Sequence, residues 1–302
     1  MHVHHLNCIS SCPLGGKLMD DGPESIFERG HLTSHCQLVE TSDGLLLIDT
    51  GHGLKDVADP HSRLSEFFLR LNDPDFKEEL TAFRQIQNLG FDPQDVRHII
   101  LTHLDYDHAG GLDDFPWATV HMLRSERDSA LMQKTWLDRQ RYRPQQWSTK
   151  NNWQVYDPGE GDTWFGFGKV QTLNGLPPEI ALIPLIGHTL GHAGVAVNTG
   201  KQWLFNTGDA YFHHGEMNVE KPCCTPGLMF YQNMMDKDHK SRVWNQERLR
   251  DLKKSHSSEV EIFCSHDVLE FERLAGRSAQ IPVELLMPRN SEAGFNYLHE
   301  HW

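Results

Sequence analysis

The sequence predicts a layered α/β protein, and three observations carry that prediction. Short runs rich in β-branched and aliphatic residues end in turn signals, as strands do. These runs fall into an early group within 36–123 and a late group within 180–264. Amphipathic helical stretches lie beside or after each group, which fits layers better than a simple alternating βαβ chain.

The first strands are 36–41 (CQLVET) and 45–49 (LLLID), joined by Ser42-Asp43-Gly44 as a hairpin turn. Leu64, Phe67, Phe68 and Leu71 then show the i, i+3, i+4, i+7 spacing of one apolar helix face. Residues 78–89 continue that pattern with Leu80, Phe83, Ile86 and Leu89. Asp92-Pro93 reads as an N-cap followed by proline at the first helical position. Strands follow at 97–101 (RHIIL) and 118–123 (ATVHML), and a helix at 125–137. The late strands are 180–185, 193–198, 202–206 and 260–264, with a hairpin at Thr199-Gly200-Lys201 and a helix at 241–254. No repeat, low-complexity tract or linker appears, so a single domain over 1–302 is expected, with a helical insertion at about 54–90.

Composition narrows the function classes. The chain has 302 residues, with 28 Lys and Arg against 42 Asp and Glu, a formal charge of −14. That balance disfavours a long nucleic-acid partner. Mean hydropathy is −0.54, and the longest aliphatic run, Leu45–Ile48, falls far short of the roughly 20 residues that span a bilayer. No basic start precedes an apolar stretch at the N-terminus, and the six cysteines do not form a disulfide framework. Reduced thiols, a cytoplasmic location and no membrane association are therefore expected. Cys8 and Cys12 could at most form a minor metal or redox pair. The twenty histidines raise the question of which sit in a metal-ligand pattern, because imidazole is the commonest metal ligand.

Residues 101–111 (LTHLDYDHAGG) answer it. His103, Asp105, Asp107 and His108 place four metal-capable side chains directly after an apolar strand, where α/β proteins put ligands and catalysts. In an extended loop, 103, 105 and 107 share one side and 108 turns away, so one loop can feed two adjacent ions. Three further signals each follow a strand: His188 and His192 in GHTLGH, Asp209 in NTGDA, and His266 in CSHD.

Taken together, these residues resemble the metallo-β-lactamase-fold superfamily. Its signature is His-x-His-x-Asp-His, then a Gly-His-Thr-type His, a strand-end Asp and a late His. Here the order is His103-x-Asp105-x-Asp107-His108, His188, Asp209 and His266, and the match runs from about Cys36 to His266. The resemblance implies a four-layer αββα sandwich with a dinuclear site at one edge of the sheets. By position, His103 and His188 would bind the first metal, Asp107, His108 and His266 the second, and Asp209 would bridge them. Asp49, in LLLIDTG, resembles the family's buttressing Asp-Thr-Gly turn, and His192 a supporting His outside the ligand set.

Asp105 departs from the signature, which has a second His there. It is still an oxygen ligand, but harder than imidazole and charged. Three carboxylates, Asp105, Asp107 and Asp209, would then nearly offset two dications bridged by hydroxide. Zinc is the first expectation for both metals, and Asp105 shifts preference toward iron or manganese. The flavodiiron branch similarly carries a carboxylate at this position.

The expected function is hydrolysis of a small ester or lactone by a metal-activated water. Asp107 is the candidate proton shuttle. Tyr211, two residues past Asp209, is the candidate donor to the oxyanion. In the N-acyl-homoserine lactonase branch a Tyr lies three past that Asp, and here that position holds Phe212. A phosphodiesterase and an iron-dependent oxidoreductase resembling persulfide dioxygenases are the alternatives. The partner expected is a small molecule, and a homodimer stays open. Residues 137–147, with Arg139, Arg141 and Arg143, could meet an anionic group on the substrate. Residues 211–231 are expected to line the pocket, with His213 and His214 as reserve ligands.

Overall fold

Burial alternates along the central strands, and that alternation sets the layering. In β3 (Gly44–Ile48), Leu45 and Leu47 join one buried cluster while Leu46 and Ile48 join another. In β9 (Ile180–Pro184), Ile180 and Leu182 face inward and Ala181 and Ile183 outward. A strand buried on both faces needs a layer on each side. The computed structural model describes residues 1–149, 152–157 and 162–279. The stretch 280–302, at the end of the expected domain, lies outside them.

The first sheet runs in the order β1 (His2–Asn7), β2 (His35–Thr41), β3, β4 (Val96–Ile100), β5 (Thr119–Leu123) and β6 (Asn152–Tyr156). Its first three strands pair antiparallel and its last four parallel. The second sheet runs β12 (Val260–Phe263), β11 (Trp203–Asn206), β10 (Ala193–Asn198), β9, β8 (Phe167–Thr172) and β7 (Asp162–Trp164). There only β11 and β12 pair in parallel. Between the sheets, Val39, Leu46, Ile48 and Ile100 meet Ile180, Leu182, Val195 and Val197. Each such side chain contributes about 1.5–3 kcal/mol on burial.

Ten α-helices are described. The segment 54–90 carries α1 (Leu54–Ala58), α2 (Pro60–Arg63), α3 (Glu66–Asn72) and α4 (Ala82–Asn88). Ala82 and Ile86 of α4 cover the outer face of the first sheet. The metal-capable loop contains α5 (Tyr106–Ala109), and the 125–137 expectation resolves into α6 (Arg124–Met132) and α7 (Trp136–Arg141). Thr135 breaks the run by capping α7, accepting from the Asp138 amide at 3.1 Å. After α8 (Pro226–Met235), the long α9 (His239–His256) seats Leu249 and Leu252 on the second sheet, and α10 (Val268–Ala275) follows β12. Asp92-Pro93 opens only a 3-10 turn, Pro93–Asp95, because β4 begins at Val96. The result is the αββα sandwich. No described helix is long and apolar enough to cross a membrane, and all six cysteines are free thiols.

Candidate metal centre

Three strand ends and one strand-to-helix loop converge at one edge of the sandwich. His103 and Asp105 lie on the loop after β4, and Asp105 caps α5, so Asp107 and His108 sit on a single helical turn. The extended arrangement expected through residue 107 therefore ends at 105. His188 follows β9, Asp209 follows β11 and His266 follows β12. These seven side chains are all buried.

They form two adjoining cages. In the first, Asp105 Oδ2 lies 3.4 Å from His103 Nε2 and 3.0 Å from His188 Nε2. Asp209 Oδ2 lies 3.6 and 3.4 Å from the same two nitrogens. In the second, Asp209 Oδ1 lies 3.2 Å from His108 Nε2 and 3.1 Å from His266 Nε2, and Asp107 Oδ2 is 3.8 Å from His266 Nε2. Tetrahedral zinc with ligands at about 2.0–2.1 Å has edges of about 3.3–3.4 Å, so both cages have the size of a zinc site. His103 Nε2, His108 Nε2 and Asp209 Oδ1 are buried without a hydrogen-bond partner. Such orphaned atoms, all aimed at one place, fit a pair of cations.

Neighbouring groups fix the ring orientations. His108 Nδ1 donates to Asp49 Oδ2 at 2.9 Å, leaving Nε2 for the cage. Thr102 donates to the same oxygen through Oγ1 and to Oδ1 through its amide, both at 2.8 Å. Asp49 holds a left-handed backbone, φ 52°, which is sparsely populated for a non-glycine residue and places the carboxylate under the metal loop. His266 Nδ1 donates to the Thr33 carbonyl at 2.6 Å. His192 donates to the Leu185 carbonyl and accepts from the Asp209 amide, both at 2.9 Å. Burial pushes it down to about 3, so it is a neutral support for Asp209 and both its nitrogens are used. Glu126 of α6 joins two ligand loops, accepting from Leu104 N at 2.9 Å, Gly191 N at 3.1 Å and the Thr189 hydroxyl. A Cβ on Gly191 would lie 2.1 Å from the Glu126 amide nitrogen, so the approach needs glycine.

Sequence reasoning set Arg141 toward an anionic substrate and missed its contact with Asp105. The fully buried Arg141 side chain forks onto Asp105, Nε to Oδ1 at 2.7 Å and Nη2 to Oδ2 at 2.5 Å. Nη1 donates to the Met235 carbonyl at 2.6 Å, and Nη2 also meets His188 Nε2 at 2.8 Å. Burial acts to raise the Asp105 carboxyl, but Arg141 and the two histidines outweigh it and hold it well below the usual carboxylate range. The only available signal was that a buried third carboxylate needs a cation. In the segment expected to face substrate, Arg141 instead faces a candidate ligand, while Arg143 binds the Arg63 carbonyl at 2.8 Å.

Tyr211 is corrected. Its hydroxyl donates to Glu270 at 2.9 Å and its ring packs in the outer cluster of the second sheet. The adjacent Phe212 faces the centre, stacked on His266 at 4.9 Å. One step along the chain reverses the side, so Tyr211 cannot serve the oxyanion. Phe212 continues into an apolar group with Leu32, Phe68, Tyr106, Leu228 and Tyr231, so the 211–231 stretch does border the centre. His213 and His214 pair with Asp21 and Asp267 at 2.9 and 2.8 Å on a separate cavity of about 620 Å³, and do not join the cages.

The family profile described as the metallo-beta-lactamase superfamily matches residues 29–254. A probable metallo-hydrolase of Mycobacterium tuberculosis is 36% identical over 272 residues, 88% of this chain and 80% of that protein. An N-acyl homoserine lactonase of Bacillus cereus is 27% identical over 169 residues, 56% of this chain and 60% of that one. Among solved structures, an N-acyl homoserine lactone hydrolase with N-hexanoyl-L-homoserine at its catalytic metal centre superposes with a TM-score of 0.65. It is 21% identical, and the match covers 90% of this chain and 95% of that one.

Proposed function

The chain belongs to the metallo-beta-lactamase superfamily as a metallo-hydrolase, and we propose that it hydrolyses a small ester or lactone at a two-metal centre. The observation that carries this reading is Asp209, whose carboxylate lies between the two cages, Oδ2 3.4 Å from His188 Nε2, Oδ1 3.2 Å from His108 Nε2, and both oxygens within 3.2 Å of His266 Nε2. His103, Asp105 and His188 would complete one metal position, and Asp107, His108 and His266 the other. A pair of divalent ions there supplies Lewis acidity that activates water near neutral pH and polarises a substrate oxygen.

The protein's own groups do the rest. Asp107 stands at the border between the second cage and the Tyr106–Tyr231 group, where a carboxylate can accept a proton and pass it to a leaving alkoxide. Asn72 donates to both phenols, at 3.4 Å to Tyr231, so these polar tips are held beside an otherwise apolar wall. Phe68, Phe212 and Leu228 are buried in that cluster, which keeps water away from this side of the centre. The similarity to the B. cereus lactonase supports a lactone among the candidate substrates. Zinc is the first choice of metal, because each position offers two imidazoles with carboxylate oxygens at tetrahedral spacing.

The test is a panel of chromogenic esters, lactones and bis-p-nitrophenyl phosphate, assayed with zinc, manganese and iron. Turnover of esters or lactones, lost on chelation and regained on adding zinc, is expected. Turnover of the phosphodiester alone would overturn the substrate assignment.

A further inference from the structure

We infer that Arg141 is the built-in counter-charge of Asp105, and that the Asp105–Arg141 pair does the work of the single imidazole found at this place in the family signature. The inference rests on the two-metal reading above. A buried guanidinium has to be paired, and this one forks onto a carboxylate that also faces His103 and His188. The fork takes both oxygens of Asp105, and Oδ2, which accepts from Nη2, is also the oxygen that borders the first cage.

Charge arithmetic explains why the pair is needed. Asp105, Asp107 and Asp209 bring −3 to the donor set, and Arg141 returns it to −2. A set with His in place of Asp105 and no arginine also carries −2. Substituting an anion for a neutral ring is thus offset inside the protein, not at the metals. The charge of the third carboxylate therefore no longer argues for iron or manganese, although its oxygen stays a harder donor than imidazole.

The pair also makes a counterintuitive demand. Restoring the family histidine alone should damage the site, because Arg141 would lose its carboxylate while its Nη2 stays 2.8 Å from His188 Nε2. The cation would then repel a metal at that position. Removing both charges together should repair it.

The experiment compares wild type, R141M, D105H and D105H/R141M. Metals per chain are counted after dialysis, and Co(II) is titrated against a chelator to read each position by its absorption. D105N and D105N/R141M form a second pair if the histidine variants fold poorly. Wild type is expected to hold two metals. D105H should lose at least about tenfold in affinity at the first position, and D105H/R141M should return to within about threefold of wild type. The second position should change little throughout. A purely structural salt bridge would shift the melting temperature without changing the affinity ratio of the two positions, and that result overturns the inference. So does equal metal binding by D105H and the double variant. Wild type holding one metal while R141M takes two would show that the guanidinium fills the first position, which overturns this inference and the two-metal reading together. No metal on wild type would overturn the two-metal reading itself.

Discussion

Glu126→Gln tests how the ligand loops are held. In the native chain Oε1 accepts from Leu104 N, and Oε2 accepts from Gly191 N and the Thr189 hydroxyl. Glutamine keeps the shape but offers one oxygen and one amide nitrogen. The nitrogen must face either the Leu104 or the Gly191 N–H, leaving one buried donor without an acceptor. That loss costs about 1–3 kcal/mol. A chain of 302 residues has an unfolding entropy near 0.6 kcal/mol/K, so the melting temperature falls by about 2–5 °C. Leu104 lies between His103 and Asp105, and Thr189 and Gly191 follow His188, so the functional loss should fall on the first metal position, by about tenfold in affinity. Calorimetry of chelated protein at pH 8, above the value of about 7 to which burial raises Glu126, reads the first number. Co(II) titration reads the second. An unchanged melting temperature, or equal loss at both positions, would refute the claim that Glu126 positions these loops.

Asp209→Ala should lower activity by at least about a hundredfold and release both metals, since both cages use its carboxylate; elemental counting and turnover check it together. Tyr211→Phe should leave kcat/KM within about twofold and cost roughly 1 kcal/mol in urea denaturation, because only the bond to Glu270 is lost. Burial lowers His5 to about 4 and His121 to about 3, from 6.5. Both are neutral in the fold, so the unfolded chain takes up the extra protons first. Their contribution is full above about pH 6.5 and falls by up to about 1.36 kcal/mol per pH unit for each group as pH drops toward 4. Denaturation midpoints of wild type and H121Q at pH 7, 6 and 5 should converge with acidity, and a constant difference would contradict the burial argument.

The candidate ligands were legible because each sits on a loop where an apolar strand stops, and local pattern reports strand ends well. Four of them sit in the single segment 101–111, and His188, Asp209 and His266 each follow a later strand. Strands were legible where both faces are buried, as in β3 and β9. They were not legible in β8, where only Phe167 and Val170 are buried, or in β1, whose histidines mask its alternation. His5 pairs with His35 at 2.8 Å and His98 with His121 at 2.9 Å, so part of the histidine excess is core packing. Arg141 was out of reach for a different reason. Its partner lies 36 residues earlier, and no local period links a helix end to a distant loop. Tyr211 failed by a single step, because the turn after Asp209 decides which of two adjacent aromatics faces the metals.

The most direct test is a crystal structure of metal-loaded protein with anomalous scattering recorded at the metal edge. Two ions per chain are expected, one among His103, Asp105 and His188, the other among Asp107, His108 and His266, with Asp209 touching both and Arg141 still on Asp105. A single ion, or an Asp209 carboxylate turned away from either position, would contradict it.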